Sequence, residues 1–443
     1  MILFKKTQSV CPICLRVLPA QRRAEDDGIY LDKVCPEHGA FSALIWEGDL
    51  RSYRLWAAES GISEPPVNAR AAARGCPYDC GLCERHQRKG CGMLLEVTNR
   101  CDLRCPVCFA AAGDGPVKEP TLDEIARQYD FLLAHGGPFN IQLSGGEPTM
   151  RDDLPDILRI GRERGFSFFQ LNTNGLRLAA EPGYAQTLKA AGLNTVFLQF
   201  DGVTDDVYRT LRGRPLLAQK QAAVRRCADA GLGVVLVPVI APGVNDDQVG
   251  ALLRWALERA PGVRGVHFQP LSWFGRCALP RPERPVTIPR MLALIERQTD
   301  GRMAAADFSG GGAENPYCSF HASYLRREDG SLRPLARRAE GGCCAATSDD
   351  ARTAVADQWS GEGRRADFAP DGALSETSAL DEFLRDARRS TFAVSGMVFQ
   401  DAYTLDLDRL RRCYICEVDP THGMVPFCAY NLTDAQGRAL YRT

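Results

Sequence analysis

The 443-residue sequence predicts an α/β fold. We expect a partial (βα)6 barrel of the TIM type, with a small metal-binding module before it and a C-terminal cap after it. Three observations predict this: six short apolar segments each end in polar residues or glycine, helical stretches lie between them, and cysteines in metal-ligand spacings flank the series. Strands that alternate with helices are typical of parallel sheets, whose strand ends all face one side.

The six strand candidates occupy the middle of the chain. They are residues 93–98, 139–144, 166–171, 195–200, 234–240 and 263–268. Each is rich in aliphatic or aromatic residues and stops at a turn signal. Thr121 and Glu124 form a capping-box pattern that opens the first intervening helix. Residues 248–258 carry apolar side chains at helical spacing between the last two strands.

The N-terminal segment carries two pairs of ligand-type side chains. Cys11 and Cys14 form one knuckle, and Cys35 and His38 form a second after a short apolar run. This spacing is typical of a zinc ribbon or a rubredoxin-like module, in which four ligands hold one tetrahedral ion. Zinc and a mononuclear iron both fit. The alternative for His38 is a surface histidine.

A second group of cysteines precedes the first strand candidate. Cys76, Cys80 and Cys83 have the spacing C-x3-C-x2-C, and Cys91 follows closely. Four thiolates close a [4Fe–4S] cube, so this group predicts an auxiliary cluster for electron transfer or structural stapling. The alternative is a four-cysteine zinc site.

The same spacing recurs at Cys101, Cys105 and Cys108, directly after the first strand candidate. Three thiolates leave one iron of a [4Fe–4S] cube without a protein ligand, and such an iron binds a small molecule and passes it one electron. On spacing alone, an electron-transfer cluster or a zinc knuckle fits as well. The preceding strand favours a catalytic cluster because barrels carry chemistry at the carboxyl ends of their strands.

Polar motifs end the next two strand candidates. Gly145, Gly146 and Glu147 end the second, and Asn172 and Asn174 lie in the turn after the third. Glycines let a backbone approach closely, and a carboxylate accepts hydrogen bonds from a cation. We expect these motifs to meet the cysteine loop at one mouth of the barrel. The alternatives are an exposed turn carboxylate at Glu147 and turn or capping roles for both asparagines.

The C-terminal region holds six further cysteines without a clean spacing. We expect a second auxiliary cluster whose ligands are Cys318, Cys413, Cys416 and Cys428. The vicinal Cys343 and Cys344 are alternative ligands or a redox pair. Cys227 and Cys277 are expected to be buried small hydrophobic residues or incidental thiols.

Composition argues against a nucleic-acid-binding protein and against a membrane-spanning one. Lys plus Arg number 54 and Asp plus Glu 55, so the chain lacks the basic excess of a nucleic-acid-binding protein. We find neither a signal core at the N-terminus nor an apolar run of about 18 residues, so no membrane span is expected. Eighteen clustered cysteines suggest metal ligands in a reduced cytoplasm.

The modules divide the chain into four expected parts. Residues 1–75 form the metal-knuckle module and its linker, 76–92 the auxiliary-cluster bridge, 93–283 the barrel, and 284–443 the C-terminal cap. Residues 339–375 are rich in Gly, Ala, Asp and Arg and resemble an insertion or flexible loop.

The cysteine loop and the motifs that follow it resemble the radical SAM superfamily. The resemblance implies that Cys101, Cys105 and Cys108 hold a [4Fe–4S] cluster that binds S-adenosylmethionine and cleaves it to a 5′-deoxyadenosyl radical. In that superfamily the turn of Gly145, Gly146 and Glu147 binds the methionyl ammonium. The residues that the resemblance places on the ribose and adenine side are Asn172, Asn174 and Gln199.

The order of all the cysteine motifs is similar to that of tetraether synthase and its relatives, and to radical SAM proteins of the TrsS type. That family couples lipid carbons by hydrogen abstraction, and some members have been linked to pterin methylation. This sequence departs from the pattern at Ala313, where a cysteine is expected, and at Cys416, where a histidine is expected.

The function expected from the sequence is a radical SAM enzyme that abstracts hydrogen from a lipid, a small molecule or a peptide. Its cofactors are the catalytic cluster, S-adenosylmethionine, one or two auxiliary clusters and one zinc or iron ion. Its electron donor is a flavodoxin or a ferredoxin. The alternatives are a non-catalytic iron–sulfur electron carrier and a zinc-ribbon binding module.

Overall fold

The computed structural model describes residues 2–57, 63–311, 315–327, 329–335, 347–360 and 391–442. The N-terminal part is a four-stranded antiparallel sheet in sequential order, followed by one helix. Its elements are β1 (Ile2–Val10), β2 (Val17–Ala24), β3 (Gly28–Cys35), β4 (Gly39–Glu47) and α1 (Leu50–Trp56). Val10 pairs with Val17 and Cys35 pairs with Gly39, so both knuckles close the same end of this sheet.

Six parallel strands form the partial barrel and confirm the expected fold class. In spatial order they are β5 (Gly92–Thr98), β7 (Asn140–Gly145), β8 (Phe169–Thr173), β9 (Thr195–Gln199), β10 (Gly233–Val237) and β12 (Val263–Pro270). The short strands near them are β6 (Val107–Cys108), β11 (Val239–Ile240) and β13 (Arg276–Cys277). Apolar side chains on the outer faces of the strands pack against the helices and form the main core.

Helices connect the barrel strands along their outer face. They are α2 (Leu122–Ala134), α3 (Leu154–Glu163), α4 (Leu176–Ala180), α5 (Tyr184–Ala190), α6 (Asp205–Arg212), α7 (Leu217–Asp229), α8 (Val249–Leu257) and α9 (Ile288–Gln298). The capping box expected at the start of α2 is present: Thr121 accepts from the Glu124 backbone N–H, and the Glu124 carboxylate accepts from that of Thr121.

The observed strand bounds differ from the predicted ones by one or two residues at most ends, and two strands differ by more than that. The third begins at Phe169 rather than residue 166, because the pairing with β7 starts at Ile141 opposite Phe169. This strand also ends later than predicted, at Thr173, so Asn172 lies inside the strand and not after it. The fifth divides into β10 and β11 at Pro238, which has no N–H to donate to a neighbouring strand.

The C-terminal region extends the barrel sheet at both edges. On one edge β16 (Thr391–Met397) runs parallel to β12, and β14 (Ser319–Arg326) and β15 (Leu332–Pro334) continue antiparallel. On the other edge β17 (Ile415–Asp419) runs parallel to β5 and pairs with β18 (Gly423–Pro426). Two helical turns, Leu407–Leu410 and Phe427–Tyr430, complete this region.

The expectation of a loop over 339–375 is wrong for its central part, which forms α10 (Ser348–Trp359). Thr347 and Asp350 make a capping box at its start, and Ala356 and Trp359 are buried. The polar composition of residues 339–375 made the capping box and the two buried side chains hard to recognise in the sequence. The expectations for Cys343, Cys344 and Ala313 fall outside the described residues.

The N-terminal sheet docks against the C-terminal region through buried polar groups. Arg22 and Asp406 form a buried ion pair, with Arg22 Nε donating at 3.0 Å. Lys33 Nζ donates to the backbone carbonyl groups of Ala402 and Tyr403. Within the described ranges, every helix is too short or too polar to cross a membrane.

Candidate active site

A cavity of about 860 Å³ runs into the barrel, and its mouth lies at the carboxyl ends of the strands. Cys101, Cys105 and Cys108 all line it, on the loop that leaves β5. Burial raises the pKa of Cys101 to about 12 and also raises that of Cys105, and the neighbouring thiols contribute to both shifts. Cys105 is buried and the other two cysteines are half-buried. Three thiols on one cavity wall fit a metal group, because a bound metal displaces thiol protons.

Two glycines join the cysteine loop to the turn after β7. Gly146 N donates to Thr98 O at 2.7 Å, and Glu147 N donates to Arg100 O at 2.8 Å. A Cβ atom at Gly145 would collide with the Thr98 carbonyl oxygen, and one at Gly146 with that of Arg100. Only glycine allows this approach, so the expected meeting of the two motifs occurs through backbone contacts.

The Glu147 side chain is 1% exposed and lines the same cavity. Its Oε1 accepts from Thr149 N, Thr149 Oγ1 and Thr173 Oγ1, at 3.1, 2.6 and 2.7 Å. Among the residues that the structure describes, Oε2 accepts only from Asn174 N, at 2.6 Å. Burial raises the pKa of Glu147, and these hydrogen bonds oppose the shift. A carboxylate oxygen accepts about two hydrogen bonds, so Oε2 has room for one more donor.

Asn174 and Gln199 are held by a buried lysine. Asn174 Nδ2 donates to Asp102 Oδ1 at 2.6 Å, which ties the end of β8 to the cysteine loop. Lys220 is 0% exposed, and its Nζ donates to Asn174 O and to Gln199 Oε1. Burial lowers the pKa of Lys220 to about 8. Asn172, Asn174 and Gln199 all line the cavity, as the cysteines do.

Two arginines fix the far side of the cysteine loop. Arg212 forms a bidentate ion pair with Asp201, with both distances 2.7 Å, and its Nη1 donates to Val107 O. Arg276 Nε donates to Cys105 O at 2.8 Å. The Arg212 guanidinium is close enough to lower the pKa of Cys105, which burial raises. Positive charge beside the thiols favours their deprotonated, metal-binding form.

Sequence reasoning missed Arg212, Lys220 and Arg276. Lys220 carried a signal, because it lies on the apolar face of α7 at helical spacing from Ala223, Val224 and Cys227. A lysine at such a position is buried and needs polar partners. Arg212 and Arg276 carried no signal, because their partners come from distant parts of the chain.

Cys91 also lines the cavity but belongs to its other end. It immediately precedes β5, whereas Cys101 follows that strand. Seven strand residues span roughly 20 Å, so the β5 strand separates the two thiols. Cys91 N donates to Tyr414 O, and the Cys91 thiol lies near that of Cys416.

The two expected auxiliary groups are neighbours in the structure, and their members interleave. Cys76 and Cys83 share a side-chain hydrogen bond. Burial raises the pKa of Cys80 to about 12, with smaller contributions from the nearby thiols of Cys83 and Cys413. Cys413 thus approaches the group before β5, although the sequence places it in the C-terminal set.

The remaining C-terminal cysteines of the expected cluster differ in burial: Cys416 and Cys428 are buried and Cys318 is half-buried. Cys428 is buried, its sulfur accepts from Gln400 N at 3.3 Å, and Cys413 and Cys318 are among its charge neighbours. Cys318 accepts from Arg409 Nη2 at 3.4 Å. Cys227 is buried within α7, as expected, and Cys277 is half-buried on β13.

The N-terminal knuckles bring four ligand atoms together. Those of Cys11, Cys14, Cys35 and His38 all lie within 4.8 Å of one another. His38 Nδ1 is 3.6 Å from Cys11 Sγ and 3.4 Å from Cys35 Sγ. Such spacing suits four ligands around one tetrahedral ion.

Comparisons with known proteins agree with this geometry. The Radical SAM superfamily model matches residues 95–256, and the model of the HMPTM N-terminal zinc ribbon domain matches residues 3–47. The first region contains the cysteine loop, the glycine turn and the asparagine motif. The second contains both knuckles.

One curated relative aligns over nearly all of both chains. It is the 7,8-dihydro-6-hydroxymethylpterin dimethyltransferase of Methanocaldococcus jannaschii, 34% identical over 98% of this chain and 94% of its own length. The GTP 3′,8-cyclase of Paenarthrobacter nicotinovorans is 35% identical over 45% of this chain and 57% of its own.

A solved structure, Streptococcus suis SuiB bound to S-adenosylmethionine, covers 48% of this chain and 47% of its own at 17% identity and a TM-score of 0.40. Similarity this weak shows no more than a related fold. The family of the chain follows from the relative that aligns over nearly all of both chains and from the superfamily match. Membership implies a [4Fe–4S] cluster and S-adenosylmethionine. The chain belongs to the radical SAM superfamily of enzymes.

Proposed function

We propose that Cys101, Cys105 and Cys108 hold the catalytic [4Fe–4S] cluster and that the enzyme cleaves S-adenosylmethionine at this mouth. When bound and reduced by one electron, the cluster supplies the cleavage of S-adenosylmethionine to methionine and a 5′-deoxyadenosyl radical, which removes hydrogen from a substrate carbon. The observation that carries the proposal is that three thiols face one cavity at the strand ends, bonded through their loop to the glycine turn.

The surrounding residues have distinct roles in this proposal. Gly145 and Gly146 bring the turn against the cysteine loop, and Glu147 Oε2 accepts from the methionyl ammonium as its second donor. Asn172, Asn174 and Gln199 face the ribose and adenine. Lys220 is a positioning residue, because it acts through Asn174 and Gln199.

The other metal sites have supporting roles. The N-terminal ligands hold one zinc or mononuclear iron ion that fixes the knuckles, and three thiolates with one imidazole are a usual set for structural zinc. The cysteines before β5 and in the C-terminal region hold one or two auxiliary [4Fe–4S] clusters. A one-electron donor such as flavodoxin or ferredoxin reduces the enzyme.

For the substrate we propose a pterin-type small molecule from whose carbon the radical removes hydrogen. Methylation of that carbon takes its one-carbon unit from a second donor, because the cleavage leaves the S-methyl group on methionine. The support is the printed activity of the Methanocaldococcus jannaschii relative, which matches this chain over almost its whole length. Lipids and peptides are the rival substrates.

The test is 5′-deoxyadenosine formation by anaerobically reconstituted protein supplied with S-adenosylmethionine and dithionite. The wild type is expected to form it. The triple Cys101→Ala, Cys105→Ala, Cys108→Ala variant is expected to form none while keeping its other metal ions. Equal product from both proteins would refute the assignment.

A further inference from the structure

Below the mouth, the barrel interior carries a group of uncharged polar side chains, and only Asn172 among them has a role in the proposed cleavage reaction. We call Gln142, Gln170, Asn172, His267 and Ser395 the interior belt. They lie on β7, β8, β12 and β16, and all five line the cavity. Interior positions of a closed barrel are normally filled by branched apolar side chains, so a polar belt around an open cavity needs an explanation.

Three of these side chains form a hydrogen-bonded chain. Gln170 Nε2 donates to Asn172 Oδ1 at 2.8 Å, and Asn172 Nδ2 donates to Gln142 Oε1 at 3.3 Å. Each amide has one acceptor oxygen and one donor NH2 group. This series of hydrogen bonds therefore ends in the amide NH2 group of Gln142 and the amide oxygen of Gln170, and both residues line the cavity.

The rest of the belt is also neutral. His267 Nδ1 lies 2.9 Å from Ser395 Oγ, which leaves Nε2 as the second polar atom of the ring. Burial lowers the pKa of His267 to about 4, so the ring is uncharged at neutral pH. The charged residues that line the cavity are elsewhere: Glu147 and Arg212 near the cysteine loop, and Asp350 and Asp357 on α10.

Flat apolar surfaces lie beside the belt. Phe168, Phe197 and Trp359 line the same cavity. The Phe197 ring is 5.8 Å from that of His267 and 6.0 Å from that of Trp359. Aromatic walls with a few placed polar groups are typical of sites for planar ligands.

We propose that the interior belt is the substrate site and that it binds an uncharged planar heterocycle with an amide-type edge, as pterins and purines have. This inference rests on the proposed function and names the residues and ligand chemistry behind it. An alkyl chain would offer no partner to the Gln142 amide NH2 group, the Gln170 amide oxygen or the second ring nitrogen of His267. A phosphate would meet no cation within the belt.

The test is equilibrium binding to the reconstituted protein with S-adenosylmethionine present. The probes are 7,8-dihydro-6-hydroxymethylpterin, guanine and a long-chain diacylglycerol in detergent. We expect one or both heterocycles to bind and the lipid not to bind. The heterocycle that binds more tightly shows whether the substrate is of the pterin or the purine class. Gln170→Met and His267→Phe should each weaken that binding about tenfold, the usual effect of one lost hydrogen bond.

Gln219→Met is the matched control, because Gln219 is exposed on α7, and its binding should equal that of the wild type. Iron content and thermal unfolding show whether each variant is folded. If Gln170→Met does not fold, the binding measured with His267→Phe tests the inference. Binding of the lipid alone, or heterocycle binding that neither folded variant weakens, would overturn the inference. If 5′-deoxyadenosine forms but no heterocycle binds, the belt and the pterin-type substrate are both refuted and the cleavage reaction stands. If no 5′-deoxyadenosine forms, the proposed cleavage reaction fails.

Discussion

The cysteine loop at the barrel mouth and the N-terminal knuckles differ in what surrounds their ligands. The knuckle ligands lie within 4.8 Å of one another at the closed end of a small sheet. The three thiols of the loop face a cavity of about 860 Å³. Structural metal sites are closed by protein ligands and catalytic sites keep an open position, so the two surroundings predict different purposes for the same residue type.

The largest difference between the two sites is expected when a ligand is removed from each. Cys105→Ala should abolish 5′-deoxyadenosine formation, because the cluster loses one of three ligands. Cys35→Ala should release one metal ion and leave the rate within about twofold of wild type, because the knuckles lie outside the cavity. Metal analysis and product chromatography check both; loss of activity in Cys35→Ala alone would reverse the comparison.

Each region also has a buried ion pair. Asp201 beside the cysteine loop and Asp406 beneath the N-terminal sheet are almost fully buried and paired with Arg212 and Arg22. Removing either arginine leaves a buried charge without a partner, which costs about 3–5 kcal/mol. Arg212→Met should also stop S-adenosylmethionine cleavage, whereas Arg22→Met should only lower stability.

Chemical unfolding and the cleavage assay separate these effects. The control is Arg209→Met, which removes an exposed pair with Asp206 worth at most about 0.5 kcal/mol. If Arg22→Met abolished cleavage in folded protein, the N-terminal sheet would have a direct part in the reaction.

The fold was largely readable from the sequence, because strand and helix periodicity is local. All six parallel strands appear, and the glycine turn meets the cysteine loop as expected. Asn172 was misplaced because the end of a strand depends on its neighbour's register. α10 was missed because tertiary packing of Trp359 outweighs a polar composition. Arg212 and Arg276 were not predictable, because their partners become near only when the barrel closes.

A smaller effect is expected from the glycines. Gly146→Ala should push the turn away from Arg100 O and reduce cleavage at least tenfold, with a stability loss of about 2 kcal/mol. Gly39→Ala in the second knuckle meets no atom within 4 Å and costs only the strain of its positive φ, about 1 kcal/mol. The cleavage rate and thermal unfolding measure both. Equal activity losses would show that the tight contact at the mouth is unimportant.

The last effect, which concerns stability and leaves the reaction at neutral pH unchanged, is the pH dependence contributed by His267. Burial lowers its pKa to about 4 from the ordinary 6.5, so the unfolded chain takes up this proton first as the pH falls. His267 therefore contributes stability that is present above pH 6.5 and is lost between pH 6.5 and 4, by about 3 kcal/mol. The free energy of unfolding of the wild type should fall relative to that of His267→Phe in this window. A constant difference would mean that His267 has the same pKa in the folded and the unfolded chain.

The central claim is that the metal group at the mouth keeps one iron free for S-adenosylmethionine. The most direct measurement is the electron paramagnetic resonance spectrum of the reduced Cys35→Ala protein, in which the knuckle metal no longer contributes, before and after S-adenosylmethionine is added. We predict a changed signal from the cluster held by Cys101, Cys105 and Cys108, and no change when these three are alanine. An unchanged spectrum in the protein that retains the three cysteines would contradict the account.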